Sequence, residues 1–442
     1  MTSTDGIRLG VVRGIQYGLV AKPDTFAPQA RDLGAGLLRM FFYWSQLEPE
    51  PGRYDWTAVD AVLDQVDDDT ELWFVLSAAS MWGSTRPTDL LPGSPATDPA
   101  AYEAMLRALV THCAGRVRYW QCENEPCIPL FWGGTATEYL DLLTLFHRAI
   151  KCADPGADVV LGGCPPGVFP APETPDGERD FFLRLVAEGA YDVFDIHLYG
   201  DPYRIPAIID DIRAVMRSHG HEKPILVGEY NGPLLLEYPE VMEPLADVLN
   251  AGAMTPWHTL TIEDFRKGGL SPAPAREAMK RLYARMSELP PTLQMFMTGC
   301  PPELEDRRHR INARDLVVRN LLALSCGLRR TVCWQLGPET PEPPLPDDHL
   351  ELLHLMFSKF LLLAYDGETL GARHPSADAF AELAARLDGA ESVRRVELPD
   401  RQDTYLFEVI RPGHPQLTVT WVRGSEQAIE WNFAPQGSSS PQ

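Results

Sequence analysis

Short apolar runs rich in β-branched and aromatic residues recur along the chain, and most are followed by a stretch in which apolar side chains return every three or four positions. The first pattern suits strands and the second helices. Their alternation predicts a parallel sheet covered by helices. Eight such runs fall at 14–20, 37–42, 72–77, 117–122, 159–163, 194–198, 225–228 and 331–336. Trp73-Phe74-Val75-Leu76 and Ile225-Leu226-Val227 are apolar at consecutive positions, as expected of strands buried on both faces. Helical stretches fall at 56–66, 99–113, 137–153, 180–188, 205–218 and 313–325, with starts signalled by Asp98 before Pro99 and by Thr137 with Glu138. Eight strand and helix pairs predict an α/β fold of the closed (β/α)8 barrel type. A doubly wound sheet would carry a glycine-rich phosphate loop after its first strand, and residues 14–21 hold none.

The seventh and eighth runs are about ninety residues apart, far beyond the usual loop and helix. An insertion is expected at about 231–310, with a helix at 274–289. Because it leaves the rim where barrel active sites sit, it either walls the cleft or packs outside it. Helical stretches at 348–363 and 377–387 follow the eighth run. Alternating segments at 404–410 and 416–422 flank Arg411-Pro412-Gly413-His414-Pro415, and 428–432 adds another strand. The expected organisation is a catalytic barrel over 1–390, a small antiparallel β appendage over 391–434, and a disordered Ser-, Gly- and Pro-rich tail over 435–442.

Composition narrows the function. The net charge of −23 repels phosphate backbones and anionic lipid, so neither nucleic acid nor a membrane surface is an expected partner. No run of apolar residues is long enough to span a bilayer. The N-terminus lacks the basic start and apolar stretch of a secretion signal, which implies a cytoplasmic protein. The eight cysteines are sparse, with Cys122, Cys164 and Cys333 inside apolar runs where a thiol behaves as a small hydrophobe. Cys122 and Cys127 lack the further ligands of a zinc site, so neither metal nor cofactor is expected.

Catalytic groups of such a barrel come from the C-terminal ends of strands. Two glutamates lie there: Glu125, in Cys122-Glu123-Asn124-Glu125-Pro126 after the fourth run, and Glu229, in Val227-Gly228-Glu229-Tyr230-Asn231 after the seventh. Strands four and seven face each other across an eight-stranded barrel. Two carboxyl groups on opposite sides of an acetal supply the proton for the leaving oxygen and a nucleophile for the oxocarbenium-like carbon.

The Asn124-Glu125-Pro126 motif with Glu229 resembles clan A of the glycoside hydrolases. Leu47-Glu48-Pro49-Glu50-Pro51-Gly52-Arg53-Tyr54-Asp55-Trp56 and the segment 153–163 are similar to members near families 39 and 5. Family 5 often has a His after strand three, where Ser77-Ala78-Ala79-Ser80 stands here. The resemblance implies a retaining β-glycosidase with Glu125 as acid/base and Glu229 as nucleophile. It further implies substrate-binding roles for Arg39 at the end of strand two, Asn124, His197 and Tyr199 on strand six, and Trp334 on strand eight.

Chemistry agrees with those roles. Arg39 and Tyr199 would hold Glu229 ionised, while the charge of Glu229 would keep a proton on Glu125. Asn124 would donate to a sugar 2-hydroxyl. Trp44, Trp82, Trp132 and Tyr230, with Trp334, are candidate rim platforms for a pyranose ring. Glu48 and Glu123 are assigned structural or subsite roles, Glu123 sharing the face of Glu125 if the strand stays regular. His221 and His258 are read as surface or core residues. Alternatives are a transglycosidase using the same site and a catalytically silent carbohydrate-binding barrel; a metal-dependent hydrolase would need clustered His and Asp ligands that the strand ends lack.

Overall fold

In the computed structural model, residues 6–170, 177–253, 259–267, 271–341, 347–425, 427 and 429–433 are described. The expected tail at 435–442 and His258 lie outside them. Eight parallel strands, β1 (Arg8–Val12), β2 (Leu37–Tyr43), β3 (Glu71–Ser77), β4 (Tyr119–Cys122), β5 (Asp158–Val160), β6 (Phe194–Leu198), β7 (Ile225–Tyr230) and β8 (Arg330–Cys333), lie in the order β5-β4-β3-β2-β1-β8-β7-β6. Bridges Val160↔Val193 and Cys164↔Ile196 join the two ends of this sheet. The result is the nearly closed (β/α)8 barrel that the alternation predicted.

β1 corrects the reading of 14–20 as the first strand. It pairs with both β2 and β8, but Gly10 and the flanking Arg8 and Arg13 dilute its apolar signal. Gly10 is needed there, since a Cβ would lie 2.7 Å from the Leu37 carbonyl oxygen. The chain leaves the sheet at Gly14, whose φ of 124° strains any residue with a Cβ.

β2 sorts its side chains by strict alternation. Leu38, Met40 and Phe42 face the helices, while Leu37, Phe41 and Tyr43 face the barrel interior. Arg39 shares the interior parity. It is the third residue of a seven-residue strand and not its end, so it reaches the site by its length.

The helix Pro99–Cys113 starts as read, with Asp98 accepting from the Ala100 amide and Pro99 in the first turn. In Ala136–Ala153 the cap is Thr135 instead of Thr137, in a reciprocal box with Glu138. The helix expected at 313–325 begins at Pro302, because its charged first half carries no apolar period. The helix read at 348–363 spans only Leu352–Phe357. It gives way to a hairpin of β9 (Leu363–Asp366) and β10 (Thr369–Arg373), which turns through Gly367 at φ 62°.

The following four-stranded antiparallel sheet contains Thr404–Ile410 as expected, with Leu417–Val422 and Glu430–Phe433 in place of the expected 416–422 and 428–432, residue 428 lying outside the described residues. It also has an unforeseen edge strand, Ser392–Val396. Phe407, Val419 and Trp421 join the main barrel core. Between β7 and β8, helices Met242–Asn250 and Ala273–Ala284 share a second apolar cluster with Leu352, Leu355 and Phe360. Among the described residues no helix is long and apolar enough to cross a membrane.

Candidate active site

The position of Glu229 depends on a one-residue irregularity in β7. Leu226 points into the barrel and Val227 outward, so regular alternation would turn Glu229 outward. While β8 advances from Thr331 to Cys333, β7 advances from Val227 to Tyr230, and the register against β6 also slips by one, from Ile196↔Val227 to His197↔Glu229. The extra residue reverses the parity, as a bulge does. Tyr230 therefore packs in the outer core, and Glu229 faces the interior groups.

Arg39 organises that interior. Its guanidinium donates to Glu229 Oε1 at 2.7 Å, to Asn124 Oδ1 at 2.8 Å and to Gln121 Oε1 at 3.2 Å, and it lies over the rings of Phe41 and Trp73. Tyr199 donates its hydroxyl to the other oxygen of Glu229 at 2.9 Å. Burial, with the adjacent charge of Glu229, raises the Tyr199 pKa, so this phenol keeps its proton. Since Arg39 can only donate, it is the carbonyl oxygen of Asn124 that is turned toward it.

β4 ends at Cys122, and the next residues abandon strand geometry: Glu123 and Glu125 take φ of 59° and 39°. The expected shared face of these two glutamates is thereby lost. Glu123 turns to the β3 loop, accepts from the Ala78 amide at 2.6 Å, and lies where Gly93 has no room for a Cβ. Burial pushes its carboxyl up to about 8, against the opposing bonds from Ala78 and Ser77.

Glu125 turns into the site and meets His197 Nδ1 at 2.6 Å. Burial is the main cause raising its pKa, and the charge of Glu229 adds to it, while His197 opposes both. His197 is pushed up to about 10: burial alone would lower it, but the carboxyl groups of Glu229, Asp195 and Glu125 outweigh that. Its Nε2 lies 3.3 Å from Asp195 Oδ2 without the alignment of a hydrogen bond. Gly163 makes room for the ring, since a Cβ there would sit 2.2 Å from Nε2.

Glu125, His197 and Glu229 each bring one ligand-type atom within 4.8 Å of the others. Such spacing could hold a cation, but both oxygens of Glu229 already accept from Arg39 and Tyr199, and the carboxyl groups around His197 raise its pKa.

Asp195 and Gln121 are buried members of the site that the sequence reading passed over. For Asp195 the signal was present, because it precedes His197 by two positions and so shares its interior parity; Gln121 shares interior parity only with Tyr119, an apolar-cluster residue that carried no functional signal.

The rim aromatics divide. Trp44 is fully buried between Trp82 and Tyr102, with its indole donating to Glu48. Trp132 is buried on Tyr139 and donates to the Thr135 carbonyl. Tyr230 is also core. These three are corrected from platforms to packing: large rings near a rim find more apolar surface inward than a cleft offers.

Trp82 is partly buried, donates to the Glu48 carbonyl, and lines a rim concavity of about 350 Å³ with Gln46, Met81 and Asp89. Another concavity, of about 410 Å³, lies by Tyr203, Arg310 and Ser425. Neither is lined by Glu125 or Glu229. Trp334 meets Phe41 edge-on at 6.3 Å, and its buried indole N–H has no hydrogen-bond partner among the described residues. Glu48 is structural, accepting also from the Gly52 amide. His221 contacts the Val186 carbonyl, away from the strand ends.

A (β/α)8 barrel with paired carboxyl groups at the ends of β4 and β7 is therefore the class that fold and site define. No protein-family model matches the chain, and no curated protein does. Among solved structures, it is similar to a family 39 glycoside hydrolase from the gut symbiont Bacteroides cellulosilyticus WH2, at 14% identity over 96% of this chain and 71% of that one, with a TM-score of 0.58. A glucosidase from Croceicoccus marinus gives 15%, 92%, 75% and 0.54. A GH5_18 protein from Streptomyces cattleya gives 14%, 87%, 81% and 0.51. At such identities the likeness establishes a shared fold, and families 39 and 5, which the motifs resemble, are both represented among these neighbours.

Proposed function

We propose that the protein is a glycoside hydrolase that cleaves β-linked glycosides with retention of configuration. The observation that carries this is that Glu125 and Glu229 each bring a carboxyl oxygen within 4.8 Å of the other's, Glu229 accepting from Arg39 and Tyr199 and Glu125 raised by burial. A separation of roughly 5–5.5 Å accompanies covalent double displacement, whereas inversion needs ~6.5–9.5 Å to admit a water.

Glu229, gripped by Arg39 and Tyr199, attacks the anomeric carbon as a carboxylate. Glu125, kept protonated by burial and by its neighbour's charge, passes its proton to the departing oxygen. With that proton gone, Glu125 draws one from a water, whose oxygen displaces Glu229 from the sugar. Asn124 offers its amide N–H to the 2-hydroxyl, a contact that strengthens in the transition state. His197 fixes the rotamer of Glu125, and Trp334 offers a ring face and an N–H. A neutral carbohydrate suits a chain of net charge −23.

The test is a panel of nitrophenyl β-glycosides, followed by the 2-fluoro glycoside of whichever sugar turns over. Mass spectrometry should find the covalent sugar on Glu229. A label on another residue would sink the assignment.

A further inference from the structure

The connection that leaves β7 is hydrogen-bonded to the loop rising from β3, four places away around the barrel. Leu260 exchanges two backbone hydrogen bonds with Leu91, at 2.7 and 3.0 Å. The Thr88 hydroxyl donates to the Leu260 carbonyl at 3.0 Å, and the Ile262 amide donates to Asp89 at 2.9 Å. The β4 loop joins the same assembly, since Gly93 donates to the Phe131 carbonyl and accepts from the Gly133 amide. On the other flank, Arg266 donates to the Leu19 carbonyl after β1.

These loops do not rest on the outside of the barrel. Leu90, Leu91 and Leu260 are buried in one apolar cluster with the interior residues Phe41 and Tyr43, and Phe131 and Trp334 pack against it. Glu125 and Glu229 retain only 9% and 6% of their exposure, and Arg39, which binds Glu229, lies over Phe41 of this same cluster. A glycan running on past the carboxyl pair in that direction would press its hydroxyls against leucine and phenylalanine. The nearby backbone groups are already paired to one another, and burying a hydroxyl without a partner is unfavourable.

We infer that the pocket is closed on the side of β1 to β4 and receives only the terminal sugar of a chain, so that the enzyme removes sugars one at a time from an end. This rests on the glycosidase reading above and adds the class of substrate: short glycosides or oligosaccharide termini, not the interior of a polymer.

The test uses the full-length protein and a β-linked tetrasaccharide of the sugar identified by the nitrophenyl panel, fluorescently tagged at its reducing end. A second copy carries a methyl ether on the non-reducing terminal sugar, at the hydroxyl through which the chain would continue. The free compound should shorten stepwise, with the tagged trisaccharide as first product. The capped compound should lose less than a hundredth as much in the same time. Cleavage of the capped compound at a comparable rate, or a tagged disaccharide appearing first, overturns this inference while leaving the glycosidase intact. Failure of every aryl glycoside, together with no label on Glu229, removes both readings at once.

Discussion

The backbone amide of Gly228 donates to Asp195 Oδ1 at 2.6 Å, and a Cβ on that glycine would lie 2.4 Å from both carboxylate oxygens. This close approach sits at the register slip that turns Glu229 inward, and Asp195 is also the neighbour of His197. One glycine therefore links the orientation of Glu229 on β7 to the groups on β6.

Gly228→Ala should accordingly damage both folding and turnover. Overpacking at so tight a site costs roughly 1–3 kcal/mol, and a displaced nucleophile costs on the order of 10²-fold in kcat. Thermal melting beside aryl-glycoside kinetics checks both. An alanine variant with unchanged kcat would mean that the bulge does not set the geometry of Glu229.

Arg39→Lys should keep the fold but lower kcat by roughly 10²-fold, the scale for losing one oriented donor to developing charge. Lysine retains the charge but cannot reach Glu229, Asn124 and Gln121 together as the planar fork does. Circular dichroism would confirm folding, and the kinetic loss should fall on kcat more than on KM.

Glu125→Ala should lower turnover by roughly 10²–10⁴-fold on glycosides with poor leaving groups, and far less on activated nitrophenyl glycosides. The pH profile gives a second sign. Burial and Glu229 raise the Glu125 pKa, so the wild-type rate should fall as pH rises through that raised value and strips the acid of its proton. In the alanine variant this alkaline fall should vanish; equal losses on both substrate types would count against a proton donor.

Glu123→Gln should make stability less dependent on pH. The folded-state carboxyl titrates at about 8, above its ordinary 4.5, so the folded protein holds a proton that the unfolded chain releases. The stability linked to that proton is full below pH 4.5 and is lost as pH rises through about 8. Tyr43, Tyr102, Cys122 and Tyr139 face this carboxyl, and each is itself pushed upward by burial, so none offers a compensating cation. Glutamine preserves the acceptor for Ala78 without the charge. It should be more stable to unfolding than wild type at pH 9 by on the order of 2–4 kcal/mol, and similar to it at pH 4, as denaturant titration at the two pH values would show.

Much of this molecule could be read from its chain. Apolar runs located seven of the eight barrel strands, because a strand covered on both faces must be apolar at nearly every position, and that demand is local. The candidate carboxyl groups were legible for a related reason: strand ends are visible as the points where such runs stop, and Glu125 and Glu229 stand just beyond two of them. β1 escaped because a glycine that neighbouring backbone requires weakened its signal. The edge strand Ser392–Val396 escaped because an exposed edge imposes little pattern.

Tertiary structure alone decided where side chains point once regular period breaks. The slip at Gly228 is defined against β6 and β8, so no property of the β7 segment in isolation reveals that Glu229 faces inward. The left-handed turns at Glu123 and Glu125 send two nearby carboxyl groups to different destinations, one to a loop amide and one to His197. Trp44 and Trp132 went into the core because neighbouring rings received them there. Local pattern determines which residues must be buried or placed at a strand end; contacts among distant segments determine which of them meet, since those contacts fix register and parity.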